Sequence, residues 1–164
     1  MNLLNKLVKK ENISSIFLIF LIFVLDRFSK IKILKDFGEN SILINDFLNF
    51  NLIWNSGIGF GLLSFNSNLI YHTISIIIGL VVSLLFFISY KSNTYEKIVY
   101  SIIIGGALGN LYDRVFYNAV PDFIDLHYGN FHWFTFNIAD IFITIGIFAF
   151  LMKNFLIKTE NEKD

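Results

Sequence analysis

The stretch LIYHTISIIIGLVVSLLFFISY, residues 69–90, runs for 22 positions without a charged side chain. About 20 predominantly apolar residues are what an α-helix needs to cross the hydrocarbon core of a bilayer. This segment is read as a membrane span, and the rest of the chain is read outward from it. Towards the C-terminus a second apolar run extends from about Lys97 to Tyr112 and meets Asp113 and Arg114. A third begins near Phe134 and ends near Leu156, with Asn137 and Asp140 in its first two turns and a polar tail from Lys158 to Asp164 beyond it. Towards the N-terminus a run from about Ile13 to Leu34 is purely apolar only as far as Leu25, because Asp26, Arg27 and Lys30 follow. Lys6, Lys9 and Lys10 before it imitate a secretory signal. Asp-Arg-Phe-Ser-Lys stands where small residues would mark a cleavage site, so an uncleaved anchor is expected. The reading is an all-α membrane protein with four spans, about 13–34, 69–90, 97–112 and 134–156, forming a single integral membrane domain over residues 1–164.

Composition agrees. Of 164 residues, 55% are hydrophobic, 18% aromatic and only 16% charged, well away from a soluble average. Thirteen Lys plus Arg balance thirteen Asp plus Glu, so no net field recruits nucleic acid. Without cysteine there is no disulfide, thiolate nucleophile or thiolate-bound metal. Cations near helix ends favour the cytoplasmic side. Placing both termini there puts Lys6, Lys9, Lys10, Lys91, Lys97, Lys153, Lys158 and Lys163 inside against Arg27, Lys30, Lys32, Lys35 and Arg114 outside, a count of eight to five.

Between the first two spans, Leu48, Phe50, Leu52 and Trp54 alternate with Asn49, Asn51, Ile53 and Asn55. This is the period-two pattern of a half-buried strand and the one sheet segment expected. The following Asn55-Ser-Gly-Ile-Gly-Phe-Gly61 lacks the strand-to-helix context of a dinucleotide fingerprint. On residues alone, Asn55 reads as a turn former.

Carboxylates beside membrane spans are costly and tend to be functional. Asp122 and Asp140 fall at the same ends of their segments, so they are able to meet. Two carboxylates sharing one proton are able to activate a water and protonate a scissile carbonyl without a metal. The competing reading makes each an interfacial or helix-capping residue, although Asp140 lies deep in the apolar run for a simple cap. Asp125, three residues after Asp122, competes for the same role if the segment is helical. Asp113 and Arg114 read as a neutralising pair. Asp26 and Lys30, four apart, face one side of the first helix as an ion pair. Asn137, three residues before Asp140, is placed to orient its carboxylate from the same helix face. Gly105 and Gly109 have the spacing that lets helices approach closely. His127 and His132 lack the His-Glu-x-x-His pattern of a zinc protease, and no serine has an evident base partner, so no metal or other cofactor is expected.

Four runs together, Leu25-Asp-Arg-Phe-Ser-Lys30, Asn55-Ser-Gly-Ile-Gly-Phe60, Gly105-Gly-Ala-Leu-Gly-Asn-Leu-Tyr-Asp-Arg114 and Val120-Pro-Asp-Phe-Ile-Asp125 with Phe136-Asn-Ile-Ala-Asp140, resemble the lipoprotein signal peptidases (signal peptidase II). Pro121, Asn118 and Phe134 depart from that family's usual residues. The resemblance implies an aspartic endopeptidase of the bacterial cytoplasmic (inner) membrane. It also implies cleavage of signal peptides from prolipoproteins before a diacylglyceryl-modified cysteine, near the outer face. Asp122 and Asp140 are then catalytic, with Asp125 a surface or supporting group. Asp26, Lys30, Asn55, Asn110, Arg114 and Asn137 support the site or bind substrate, and the implied partners are the lipidated substrate and membrane lipid. A proton- or ion-coupled transporter is the main rival, and a non-enzymatic assembly factor the second. The transporter is disfavoured because the polar residues gather at one face and no repeat is seen.

Overall fold

In the computed structural model, residues 9–38, 40–57 and 68–161 are described. Among them, four long helices and two pairs of strands follow in the order α1 (Lys10–Asp36), β1 (Ile42–Asn45), β2 (Leu48–Asn55), α2 (Asn68–Lys91), α3 (Thr94–Tyr117), β3 (Val120–Tyr128), β4 (Phe131–Phe136) and α4 (Ile138–Asn161). Helices of 24 to 27 residues rise roughly 36–40 Å, enough to cross a hydrocarbon core of about 30 Å. Within α2, Tyr71–Lys91 has a mean hydropathy of 2.4 and is by itself long and apolar enough to span. Phe17, Phe20, Leu80, Leu84, Phe148 and Leu151 are all exposed on the helix surfaces. In water such a surface would promote association; against lipid tails it carries no penalty.

With no hydrophobic drive between helices inside a bilayer, close packing has to come from small residues. Helix α3 sits centrally and packs on α1, α2 and α4, and its glycines make that possible. A Cβ on Gly105 would lie 2.8 Å from Ile22 Cβ on α1, and one on Gly106 would lie 2.6 Å from the Ala139 carbonyl oxygen on α4. A Cβ on Gly109 would overlap the Asp26 carboxylate, with its carboxyl carbon 3.0 Å away. Ile19, Val82 and Ile104 form the buried centre where α1, α2 and α3 meet.

Gly109→Ala is therefore expected to destabilise the protein by about 1–3 kcal/mol through overpacking. Gly79→Ala, whose added carbon would meet only Leu111 Cδ2 at 3.8 Å, should be neutral or stabilising by up to about 1 kcal/mol. Melting temperatures in detergent that rank the two variants the other way would contradict the packing described here.

The strands form one antiparallel sheet in the order β1-β2-β3-β4. The strand read from Leu48 to Asn55 is present as β2, but it is one of four. Three expectations differ from the structure. The stretch 120–128 is neither loop nor helix but β3, buried over Val120–Phe123 between its neighbours, so it shows none of the alternation that marks a half-exposed strand. The fourth span does not begin near Phe134: Phe131–Phe136 is β4, and the helix starts at Ile138. A short apolar run reads equally as strand or helix by periodicity alone. The third span also continues past Tyr112, so Asp113 and Arg114 lie inside α3, which ends at Asn118 in the left-handed conformation (φ 55°).

Candidate active site

Helix α4 begins with reciprocal caps. Asn137 Oδ1 accepts from the Asp140 backbone N–H at 3.0 Å, and Asp140 Oδ2 accepts from the Asn137 N–H at 3.2 Å. This is a capping box, satisfying two backbone donors that a helix start leaves orphaned. Asp26 Oδ1 accepts a third, the Ala139 N–H, at 3.0 Å. Asp140 is thus a capping residue after all, because the helix starts four residues later than its apolar run. Asn137 precedes the helix instead of sharing its face with Asp140. The cap leaves the second oxygen of Asp140 free for the Asn110 amide, which donates to Oδ1 at 2.8 Å.

Asp122 reaches the same place from the sheet. In the β2–β3 register Asn55 lies opposite Val120 and Ile53 opposite Asp122, so Asn55 and Asp122 are diagonal neighbours. Asn55 Nδ2 donates to Asp122 Oδ2 at 2.8 Å and Asn137 Nδ2 to Asp122 Oδ1. Asp122 is 3% exposed. Burial, reinforced by the charge of Asp140, pushes its pKa up from 3.8 to about 6 despite the two amide donors.

The three amides are held in one sense. Each side-chain oxygen is occupied by a donor, Gly57 N–H on Asn55, Lys30 Nζ on Asn110 and Asp140 N–H on Asn137. Each nitrogen must then face a carboxylate, which removes the usual ambiguity of amide orientation. Asn137 alone touches both aspartates.

Beneath them lies a buried ionic cluster. Lys30 Nζ donates to Asp26 Oδ2 at 2.9 Å and Asp113 Oδ2 at 2.7 Å. Arg27 pairs with Asp113 at 2.6 Å and stacks its guanidinium over Tyr112, 4.8 Å from the ring centre. Two cations and two carboxylates balance. The Asp26–Lys30 pair is found as spaced, whereas Asp113 and Arg114 do not neutralise each other. They leave α3 in different directions: Arg114 Nη2 donates to the Gly57 carbonyl at 2.7 Å, and its guanidinium lies 5.5 Å from the Tyr71 ring centre. Arg114 thereby ties the end of β2 to α3, and residues 58–61 of the glycine run lie outside the described residues.

Asp125 does not share a face with Asp122, because residues three apart on a strand point to opposite sides. It is buried, not a surface group, and accepts or shares a proton with His132 Nδ1 at 2.7 Å. His132 stacks on His127 with ring centres 5.4 Å apart. Sequence reading missed Arg27 and the role of Asp113; the i, i+3 and i, i+4 spacing that suggested Asp26–Lys30 carries no sign of partners on another helix.

Residues 18–156 match the signal peptidase (SPase) II family. The chain is 44% identical to the lipoprotein signal peptidase of Pelagibacter ubique over 98% of its own length and all of that protein. It is 44% identical to that of Thermodesulfovibrio yellowstonii over 85% of this chain and 91% of the relative. In three dimensions it is similar to a bacterial membrane enzyme solved by the in meso method at 2.3 Å resolution, with a TM-score of 0.74, 30% identity and 92% of each chain covered. Fold and sequence agree, and the chain belongs to the lipoprotein signal peptidase (signal peptidase II) family.

Proposed function

We propose that Asp122 and Asp140 are the catalytic pair of this membrane-bound aspartic endopeptidase, which acts on prolipoprotein signal peptides. The observation that carries the assignment is the shared amide Asn137, which holds Asp122 while capping the turn that presents Asp140. With one proton between them, the ionised carboxylate takes a proton from a water while the other donates to the scissile carbonyl oxygen. The water oxygen bonds to the carbonyl carbon; the C–N bond then breaks as the carboxyl that took the water's proton gives it to the leaving amine and the other carboxylate recovers its proton from the intermediate's hydroxyl, which restores the pair. Asn55, Asn110 and Asn137 keep their positions through both steps because amides do not titrate. Asp26, Lys30 and Arg114 act at one remove, through Asn110, the start of α4 and the Gly57 segment.

The scissile bond is proposed to precede a cysteine carrying a diacylglyceryl group. Exposed Tyr128, Phe131 and Trp133 on the sheet and Phe47 in the β1–β2 turn suit an interfacial position, where aromatic rings with one apolar and one wet side are favoured. From there the sheet meets a lipid-anchored peptide arriving by lateral diffusion. Both termini are assigned to the cytoplasm and the acid pair to the outer face of the cytoplasmic membrane, on the cation count.

Two measurements test these assignments. Purified protein is expected to cleave a diacylglyceryl-modified precursor and to leave the unmodified precursor intact; equal cleavage of both would reject the lipid requirement. Single cysteines at Ser92 and Asn130, probed on intact cells with an impermeant thiol reagent, should label only at Asn130. The reverse pattern would invert the topology.

A further inference from the structure

The end of the bundle away from the acid pair buries a second ammonium, and it lacks what Lys30 has. Lys97, in the first turn of α3, is 5% exposed. Its Nζ donates to Asn12 Oδ1 at 2.6 Å and more weakly to the Tyr90 carbonyl at 3.4 Å. Both are neutral. Among the described residues no carboxylate comes within ion-pair distance of it, whereas the neighbouring Glu96 is taken by Lys153 at 2.9 Å. A buried cation without a counter-charge is strongly unfavourable, so the local structure is one short of an anion.

Space for that anion adjoins it. Lys97 borders a polar pocket of about 270 Å³ whose rim carries Lys9, Lys91 and one carboxylate, Glu11. Three lysines against one glutamate make it cationic. Asn12, Tyr90 and Lys97 also border a narrow cleft of about 50 Å³ between α1 and α2, walled by Ile16, Ile19 and Phe86. The polar space and the apolar cleft share a wall. Lys91 Nζ lies over the Phe87 ring, 4.3 Å from its centre, the arrangement of a long cationic side chain at a lipid boundary.

We propose that this pocket binds the headgroup phosphate of an anionic phospholipid, with Lys97 as its buried counter-ion, Lys9 and Lys91 as its outer contacts, and an acyl chain entering the cleft beside Ile16 and Phe86. The cleft favours a lipid over free phosphate, since inorganic phosphate would leave the apolar walls unused. The site lies about 20 Å along α3 from Asn110 and does not depend on the catalytic assignment. It places a lipid against α1, α2 and α3 together, at the end where no hydrogen-bonded sheet ties them.

The full-length protein purified in detergent is to be titrated with phosphatidylglycerol, phosphatidylcholine or inorganic phosphate, reading retained lipid by native mass spectrometry and the melting temperature. Phosphatidylglycerol should be retained and raise the melting temperature; the other two should do neither. Lys9→Gln and Lys91→Gln alter exposed side chains and should each weaken phosphatidylglycerol binding about fivefold. Lys97→Met should remove the preference for the anionic lipid. Equal retention of phosphatidylcholine, or native binding by the Lys9→Gln, Lys91→Gln double variant, would overturn the site. A full effect of inorganic phosphate with the same lysine dependence would overturn the lipid as its occupant.

Discussion

Asp122→Asn and Asp140→Asn are each expected to eliminate cleavage of a lipidated precursor in protein that remains folded, a loss of roughly 100- to 10,000-fold or more. An amide of the same shape still donates hydrogen bonds, but at neutral pH it neither takes up a water's proton nor transfers one to a carbonyl. Asp125→Asn should be much milder, since Asp125 faces His132 on the other side of β3. Normal turnover in either of the first two variants would reject the pair. Folding is separable from chemistry by pH. The Asp122 pKa is raised from 3.8 to about 6 in the native state, so the folded protein holds that proton more tightly than the unfolded chain. The resulting penalty is absent below pH 3.8, grows as pH rises towards 6 and is complete above it. A rise of this size amounts to about 3 kcal/mol. The stability of the native protein should therefore fall across this window by more than that of Asp122→Asn, and parallel profiles would show that Asp122 is not held as described.

Lys30→Met should have the largest effect on stability. It keeps the length and burial of the side chain but leaves Asp26 and Asp113 facing each other with only Arg27 between them. Removing one member of a buried ionic cluster costs about 3–5 kcal/mol, a large share of a marginal fold. The damage is expected to spread to the site, because Lys30 also fixes the sense of the Asn110 amide that meets Asp140. A second change, Asp26→Asn, removes one of the stranded charges and should recover part of the loss, giving a non-additive double-mutant cycle. Unchanged denaturation midpoints for Lys30→Met in detergent would mean the cluster contributes nothing net.

The spans are legible because helix crossing of a bilayer imposes a length and a composition, and residues 69–90 satisfy both outright. The close glycine contacts on α3 follow from spacing. The residues that meet in the site are nearly all marked in the sequence, but by the family resemblance more than by their local patterns. The sheet is the main loss. Strand β2 is legible because its residue types alternate, although its burial does not, with Trp54 exposed and Asn55 buried; β3 is buried throughout Val120–Phe123, and β4 is apolar enough to merge with the helix behind it. That merging moves the apparent start of α4 into Phe134 and hides the capping box, since a cap is recognisable only once the first helical residue is known. Partners across helices, as in Arg27 with Asp113, leave no mark in a single sequence.

Asn137 also sets an order of events. The residue that holds Asp122 is the one that starts the last helix, and Asp140 lies in the first turn of that helix. A chain still being synthesised, with α1 to α3 and the sheet already emerged, has one acid and no partner for it. Only when the final helix winds does the second carboxylate arrive, in the same step that docks the amide onto the first. On the proposed assignment, a chain that stops before the last helix would hold Asp122 without either Asp140 or the amide that fixes it, and would be inactive for that reason alone.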